Sequence, residues 1–103
     1  MSTTGIPSSA AHVTAEIDRA VAILRATAGV RRVWFFGSLA EHDGRPGSDL
    51  DFAVEGLPGE AHFATLGELM LVLHAPVDLV RWEEAGDALR TEIIRRGTVV
   101  YAA

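Results

Sequence analysis

A chain of 103 residues, 49% hydrophobic and 22% charged, can bury one core but not a second lobe, and its composition excludes a wholly disordered polymer. The absence of cysteine removes disulfide frameworks and thiolate metal sites; with no bilayer-length apolar run and no secretory leader profile, a cytoplasmic protein without membrane association is expected. The formal charge of −5, with nine arginines and no lysine, lacks a polynucleotide binder's basic footprint, so direct polynucleotide binding is not expected and positive charge for an anionic substrate must come from arginine or a metal ion.

Residues 1–11 are rich in Ser, Thr, Ala and Gly and read as a flexible N-terminal lead-in, leaving residues 12–103 as a single domain. Val13, Ile17, Val21 and Leu24 recur at helical spacing, and Gly29 supplies a stop, which predicts a first amphipathic helix. Arg32 to Phe36 is aromatic and β-branched and ends at Gly37, as a buried strand does. Ser38 to Glu41 fits a helical turn, and His42 to Ser48 is dense in turn residues. Asp49 to Glu55 alternates, with Leu50, Phe52 and Val54 on one face and Asp49, Asp51, Ala53 and Glu55 on the other, which predicts a second strand.

Pro58 can open the next helix, for which Phe63, Leu66, Met70 and Leu73 form the expected buried stripe, ending near His74. Pro76 to Val80 reads as a third strand interrupted by one carboxylate. A third helix is expected from Glu83-Glu84, burying Leu89, Ile93 and Ile94, with Arg95 and Arg96 at its negative end and Gly97 as its cap. Thr98 to Tyr101 is a final short strand. Strands alternating with helices in so short a chain predict an α/β (α+β) fold, a small mixed sheet of about four strands with helices packed on it.

The chemistry concentrates where Gly37-Ser38 is followed, after ten residues, by Asp49-Leu50-Asp51. Gly37 admits close approach of a ligand to the backbone, and Ser38 offers a hydroxyl and an amide at the start of a turn, a geometry suited to phosphate; a plain strand-to-helix turn capped by Ser38 is the other reading. Side chains two apart on a strand share a face, so the Asp49 and Asp51 charges would repel by about 2.5 kcal/mol at 6.5–7 Å and an effective dielectric of 20. A divalent cation removes that cost, and Asp78 supplies a third carboxylate able to converge from an adjacent strand. Hard oxygen ligands suit Mg²⁺ or Mn²⁺, although solvated strand faces and turn caps also use Asp. His12, His42, His62 and His74 have no mutual metal-ligand spacing, and Trp34 and Trp82 read as core or subunit-contact residues.

At these residues, Phe36-Gly37-Ser38 through Ser48-Asp49-Leu50-Asp51-Phe52, the sequence resembles the DNA polymerase beta-like nucleotidyltransferase superfamily, specifically its minimal nucleotidyltransferase domain. The likeness extends to Val77-Asp78-Leu79-Val80 and to Ile94 through Tyr101. It implies that Ser38 contacts nucleotide phosphate, that Asp49 and Asp51 bind Mg²⁺ and that Asp78 completes a carboxylate triad; Gly37, Ser38, Arg45 and Ser48 are the expected nucleotide contacts. It also implies ATP as nucleotide donor and a HEPN-type toxin ribonuclease as partner, with the domain acting as an antitoxin that transfers AMP to a toxin tyrosine, in a homo- or hetero-oligomer. So short a chain leaves little material for an acceptor-binding lobe, which fits a site completed by another subunit.

One stretch departs from the family. Where members commonly read Gly-Ser-Arg-Ala-Arg-Gly, this chain has Gly37-Ser38-Leu39-Ala40-Glu41-His42, and Arg45 is the nearest substitute for the two missing charges. Leu39 and Glu41 keep open a second reading, a non-catalytic subunit that neutralises its partner by covering it. A third is the nucleotidyl-transfer subunit of a small-molecule modifying enzyme.

Overall fold

A computed structural model of the protein describes residues 9–36 and 50–103. Helix α1 spans Ser9–Arg25, beginning inside the stretch read as a lead-in; β1 is Arg32–Phe35 and β2 is Leu50–Glu55. A 3₁₀ turn, Gly59–Ala61, leads into α2, His62–Val72, and β3, Val77–Arg81; a second 3₁₀ turn, Trp82–Glu84, precedes α3, Asp87–Arg96, and β4, Thr98–Ala102. The sheet order is β3-β2-β1-β4, with β1 antiparallel to β2 and β4, and β2 parallel to β3. The expected mixed sheet of four strands with helices packed on it is therefore the observed architecture. The expected turn over Ser38 to Glu41 and loop over His42 to Ser48 lie outside the described residues.

Alternation along β2 sends Leu50, Phe52 and Val54 to one face, where they are buried with Val33, Phe35 and Leu79 beneath α1 and α2. Complete burial of a side chain such as Phe52 contributes about 1.5–3 kcal/mol, so this face supplies most of the stability. The opposite face holds a smaller cluster, in which Trp34, Ala53 and Ile93 are buried and Phe36 and Trp82 pack against them. The Trp34 and Trp82 rings stack with centroids 4.6 Å apart, and Arg90 lies over Trp82 while donating from Nε and Nη2 to its carbonyl at 3.1 and 2.8 Å. Both tryptophans thus pack in the core, one of the two roles expected of them.

Two helices bury a different stripe from the one their sequence suggests. On α2 the core residues are Thr65 and Leu69, followed by Leu73 just past the helix end, with Leu66 partly buried, whereas Phe63 is 86% exposed and Met70 64% exposed. Apolar residues occupy nearly the whole circumference of this helix, so periodicity alone does not choose the buried side. In α3 only Ile93 is buried; Ile94 faces solvent, Leu89 is marginally exposed, and the Glu83-Glu84 start is a separate 3₁₀ turn. That helix covers only part of its sheet face and needs one anchor rather than a stripe.

Gly29 and Gly56 cross at the end of the β1/β2 pair, each at φ +94°. A Cβ on Gly29 would sit 2.7 Å from the Gly56 carbonyl oxygen, and one on Gly56 would collide with the Gly29 carbonyl. Around this crossing the Gly56 amide donates to Glu83 Oε2 at 2.8 Å, and Arg31 Nη2 reaches Glu55 at 3.3 Å and Glu83 at 3.7 Å.

Glu16, an acidic residue on the inward side of α1, is 1% exposed. Its Oε1 accepts the amides of His74 and Ala75 at 2.6 and 3.1 Å, and its Oε2 pairs with Arg19 at 2.7 Å and approaches His74 Nδ1 at 3.7 Å. Burial pushes the carboxyl pKa up, but the two amides and the His74 and Arg19 charges outweigh it, leaving the pKa below the usual glutamate value.

Gly56→Ala is expected to lower unfolding free energy by about 2–3 kcal/mol, because both the positive φ and the carbonyl contact forbid a side chain; urea denaturation measures it, and an unchanged midpoint would contradict the crossing. Glu16→Gln should cost about 1–2 kcal/mol at pH 7. Because the folded-state pKa lies below the unfolded value near 4.3, the charge's contribution is complete above that value and vanishes as pH falls through the folded one. The melting-temperature gap between wild type and Glu16→Gln should therefore close under acid conditions.

Candidate functional site

The parallel pairing of β2 with β3 sets Leu50 beside Val77, Asp51 beside Asp78 and Phe52 beside Leu79. Leu50, Phe52 and Leu79 point into the main core, so the alternating Asp51 and Asp78 share the other face, one strand spacing apart, about 4.8 Å. Asp51 is half-buried and Asp78 is exposed. Two formal negative charges at that spacing repel by about 3.5 kcal/mol at an effective dielectric of 20, before solvent screening at the exposed member.

Backbone bonds fix what surrounds this pair. The Phe36 amide donates to the Asp51 carbonyl at 3.0 Å, so β1 ends level with Asp51; the Leu50 amide donates to the Pro76 carbonyl at 2.8 Å, extending the β2/β3 pairing to the start of both strands. Phe36 and Leu50, which flank residues 37–49 in the sequence, both sit at the end of the sheet that carries Asp51 and Asp78. Gly37, Ser38, Arg45, Ser48 and Asp49, with Leu39 and Glu41, lie outside the described residues. Among the described residues no three acidic, histidine or cysteine side chains gather as a metal-binding set. Asp51 and Asp78 offer two hard oxygen donors on neighbouring strands, a donor set that fits Mg²⁺ or Mn²⁺ with at least one further ligand from elsewhere.

The tail of α3 reaches the same end. Thr98 pairs with Phe35, and a Cβ on Gly97 would lie 3.3 Å from that of Phe36, so Arg95 and Arg96, immediately before, bring positive charge to the side of the sheet where β1 ends. Arg96 lies 3.8 Å and Arg95 3.9 Å from Glu92 oxygens, long contacts between half-exposed or exposed groups. In the sequence these arginines read only as partners of the helix dipole; their place beside Phe36 follows from the β1/β4 register, which the sequence alone does not show. The edge of β3 is closed by His62, whose Nε2–H donates to the Leu79 carbonyl at 2.7 Å. No helix among the described residues is long and apolar enough to cross a membrane.

Comparison with curated protein sequences gives no match. Among solved structures the chain is similar to the MntA–HpeT toxin–antitoxin complex in a form with two Asp-to-Glu substitutions, at TM-score 0.72 and 21% identity over 84% of this chain and 73% of that one. It is similar to a chain of the tri-AMPylated Shewanella oneidensis HEPN toxin in complex with MNT antitoxin, at TM-score 0.70 and 21% identity, covering 87% and 72%. A toxin–antitoxin complex with AMP-PNP matches at TM-score 0.69 and 22% identity, covering 86% and 73%. These likenesses establish the fold. Residues 18–103 match the family model described as polymerase beta, nucleotidyltransferase, and the chain belongs to that nucleotidyltransferase family.

Proposed function

We propose that this protein is a minimal nucleotidyltransferase antitoxin that transfers AMP from ATP to a hydroxyl, a tyrosine in particular, of a HEPN-type toxin ribonuclease in a Mg²⁺-dependent reaction. The observation that carries the reading is the register pairing of Asp51 with Asp78 on one sheet face, at the end where Phe36 and Leu50 flank residues 37–49 in the sequence. Three neighbours support it: one complex contains an AMPylated HEPN toxin, one contains AMP-PNP, and one carries two Asp-to-Glu changes two positions apart, the spacing of Asp49 and Asp51 here.

In this reading Gly37 and Ser38 hold the nucleotide phosphates, with Ser48 and Arg45 from the same segment adding contacts. Asp49, Asp51 and Asp78 hold Mg²⁺, which when bound supplies charge neutralisation to the triphosphate. The acceptor oxygen bonds to the α-phosphorus as the α–β bridging bond breaks, releasing pyrophosphate, and Asp78, the exposed member of the pair, orients the incoming hydroxyl and takes its proton. The described residues form one lobe, and in this reading the partner supplies the wall above the site.

Incubating the protein and its cognate HEPN-type toxin with ATP labelled at the α-phosphate should label the toxin. Asp51→Asn and Asp78→Asn should each lower that labelling by roughly 10²–10⁴-fold while leaving the melting temperature within a few degrees. Equal labelling by the variants would remove the carboxylates from the mechanism. Toxin neutralisation without labelling by wild type would favour the steric reading that Leu39 and Glu41 raise.

A further inference from the structure

The exposed side of α2 is an apolar face that nothing covers among the described residues. Phe63, Gly67, Met70 and Leu71 recur at i, i+4, i+7 and i+8, with Ala64 beside them, and Phe63 and Leu71 are 86% and 87% exposed. Together these residues present on the order of 500 Å² of apolar surface, at the upper end of what a monomer ordinarily leaves in water. At the centre, Gly67 has open space where a Cβ would stand, so another backbone can come close there.

This face is complementary to itself. In an antiparallel pair of α2 helices crossing at Gly67, every position meets the one equally far on the other side of Gly67. Phe63 then meets Leu71 of the second copy, Ala64 meets Met70, a small residue against a large one, and Gly67 meets Gly67. The only carboxylate on α2, Glu68, lies about 100° round the helix from Gly67, so the pairing does not oppose like charges along the seam. A two-fold contact has this isologous form, in which i meets j and j meets i. Two such faces bury up to about 1,000 Å² in total, the lower bound for a specific interface. We infer that the protein forms a two-fold dimer through α2, with a second copy of this chain as the occupant of the face. Because α2 packs on the sheet face opposite Asp51 and Asp78, the dimer leaves both carboxylate faces accessible.

Sedimentation velocity on the full chain at 1–200 µM should show a species of twice 11.0 kDa. Phe63→Glu and Leu71→Glu alter residues that are exposed within one chain, so each should raise the dimer dissociation constant at least tenfold without lowering the monomer's melting temperature. The natural chain has no cysteine, which permits a second assay that is independent of those variants. Under mild oxidation Gly67→Cys should form a disulfide-linked dimer at least tenfold faster than Asp18→Cys on α1. A chain that stays monomeric throughout, a dimer indifferent to Leu71→Glu, or a Gly67→Cys rate no faster than the control would each overturn the inference. None of these readouts needs ATP or a toxin, so they stand or fall separately from the transfer reaction.

Discussion

The carboxylate of Glu16 is the point on which the placement of β3 depends. The amides of His74 and Ala75 fall after α2 has ended and before β3 begins, so no helix or strand partner is available to them. Left unpaired in a partly buried place, each would cost about 1–3 kcal/mol. Glu16 accepts both from the middle of α1, and Arg19, one turn on, compensates its charge. The next residue along, Pro76, accepts the Leu50 amide and begins the parallel ladder. The chain of constraint therefore runs from α1 through the α2–β3 connection to the register that sets Asp51 beside Asp78. A buried charge is an expensive way to hold a loop, but here it fixes three elements at once.

Stability and chemistry are divided between the sheet's two faces. The main core, under α1 and α2, holds most of the fully buried large side chains, and nothing in it is chemically reactive. The other face is tied down by one small cluster, where Ala53 leaves room for the indole of Trp34 and for Ile93. That economy frees the start of β2 and β3 to carry carboxylates without disturbing the core. Asp78 is exposed on the edge strand β3, while α3 is anchored over β1 and β2 through Ile93 against Trp34 and Ala53.

Much of this arrangement could be read from the residues. The alternation of Leu50, Phe52 and Val54 against Asp51 and Ala53 is a period-two signal that the strand obeys, and Val33 to Phe35 could hardly be anything but buried. The failures come where the local pattern is degenerate. α2 is apolar on almost every side, so the stripe through Phe63 and Met70 is as regular as the one through Thr65 and Leu69, and only the packing of α1 decides between them. Glu16 is invisible to hydropathy for the opposite reason: its role depends on amides 58 and 59 residues away. The pairing of Asp51 with Asp78 needed a register that no strand discloses alone. The proposed phosphate contacts Gly37, Ser38, Arg45 and Ser48, and the proposed metal ligand Asp49, lie outside the described residues and rest on the sequence pattern alone.

The proposed reaction brings an anionic nucleotide to an acidic face, and its charge needs compensation. With no lysine, every cationic side chain other than histidine is an arginine, and those at 19, 25, 31, 32, 81 and 90 are each engaged by a carboxylate, a ring or a carbonyl that serves the fold. Arg81, for instance, is 16% exposed, donates to the Leu57 carbonyl at 2.7 Å and pairs with Glu84 at 2.6 Å, which pins the loop that contains the glycine crossing. Drawing any of these toward a triphosphate would strip a structural contact. Arg95 and Arg96 pair with Glu92 at 3.9 and 3.8 Å and end the helix just before Gly97, which packs beside Phe36 where β1 ends. In the proposed reaction, a triphosphate on the acidic face would be balanced by a bound cation, by Arg45, by the α3 terminus, or by the partner's surface. The first of these is what paired carboxylates select for, since the ligands that repel a bare nucleotide are those that hold a divalent ion against it.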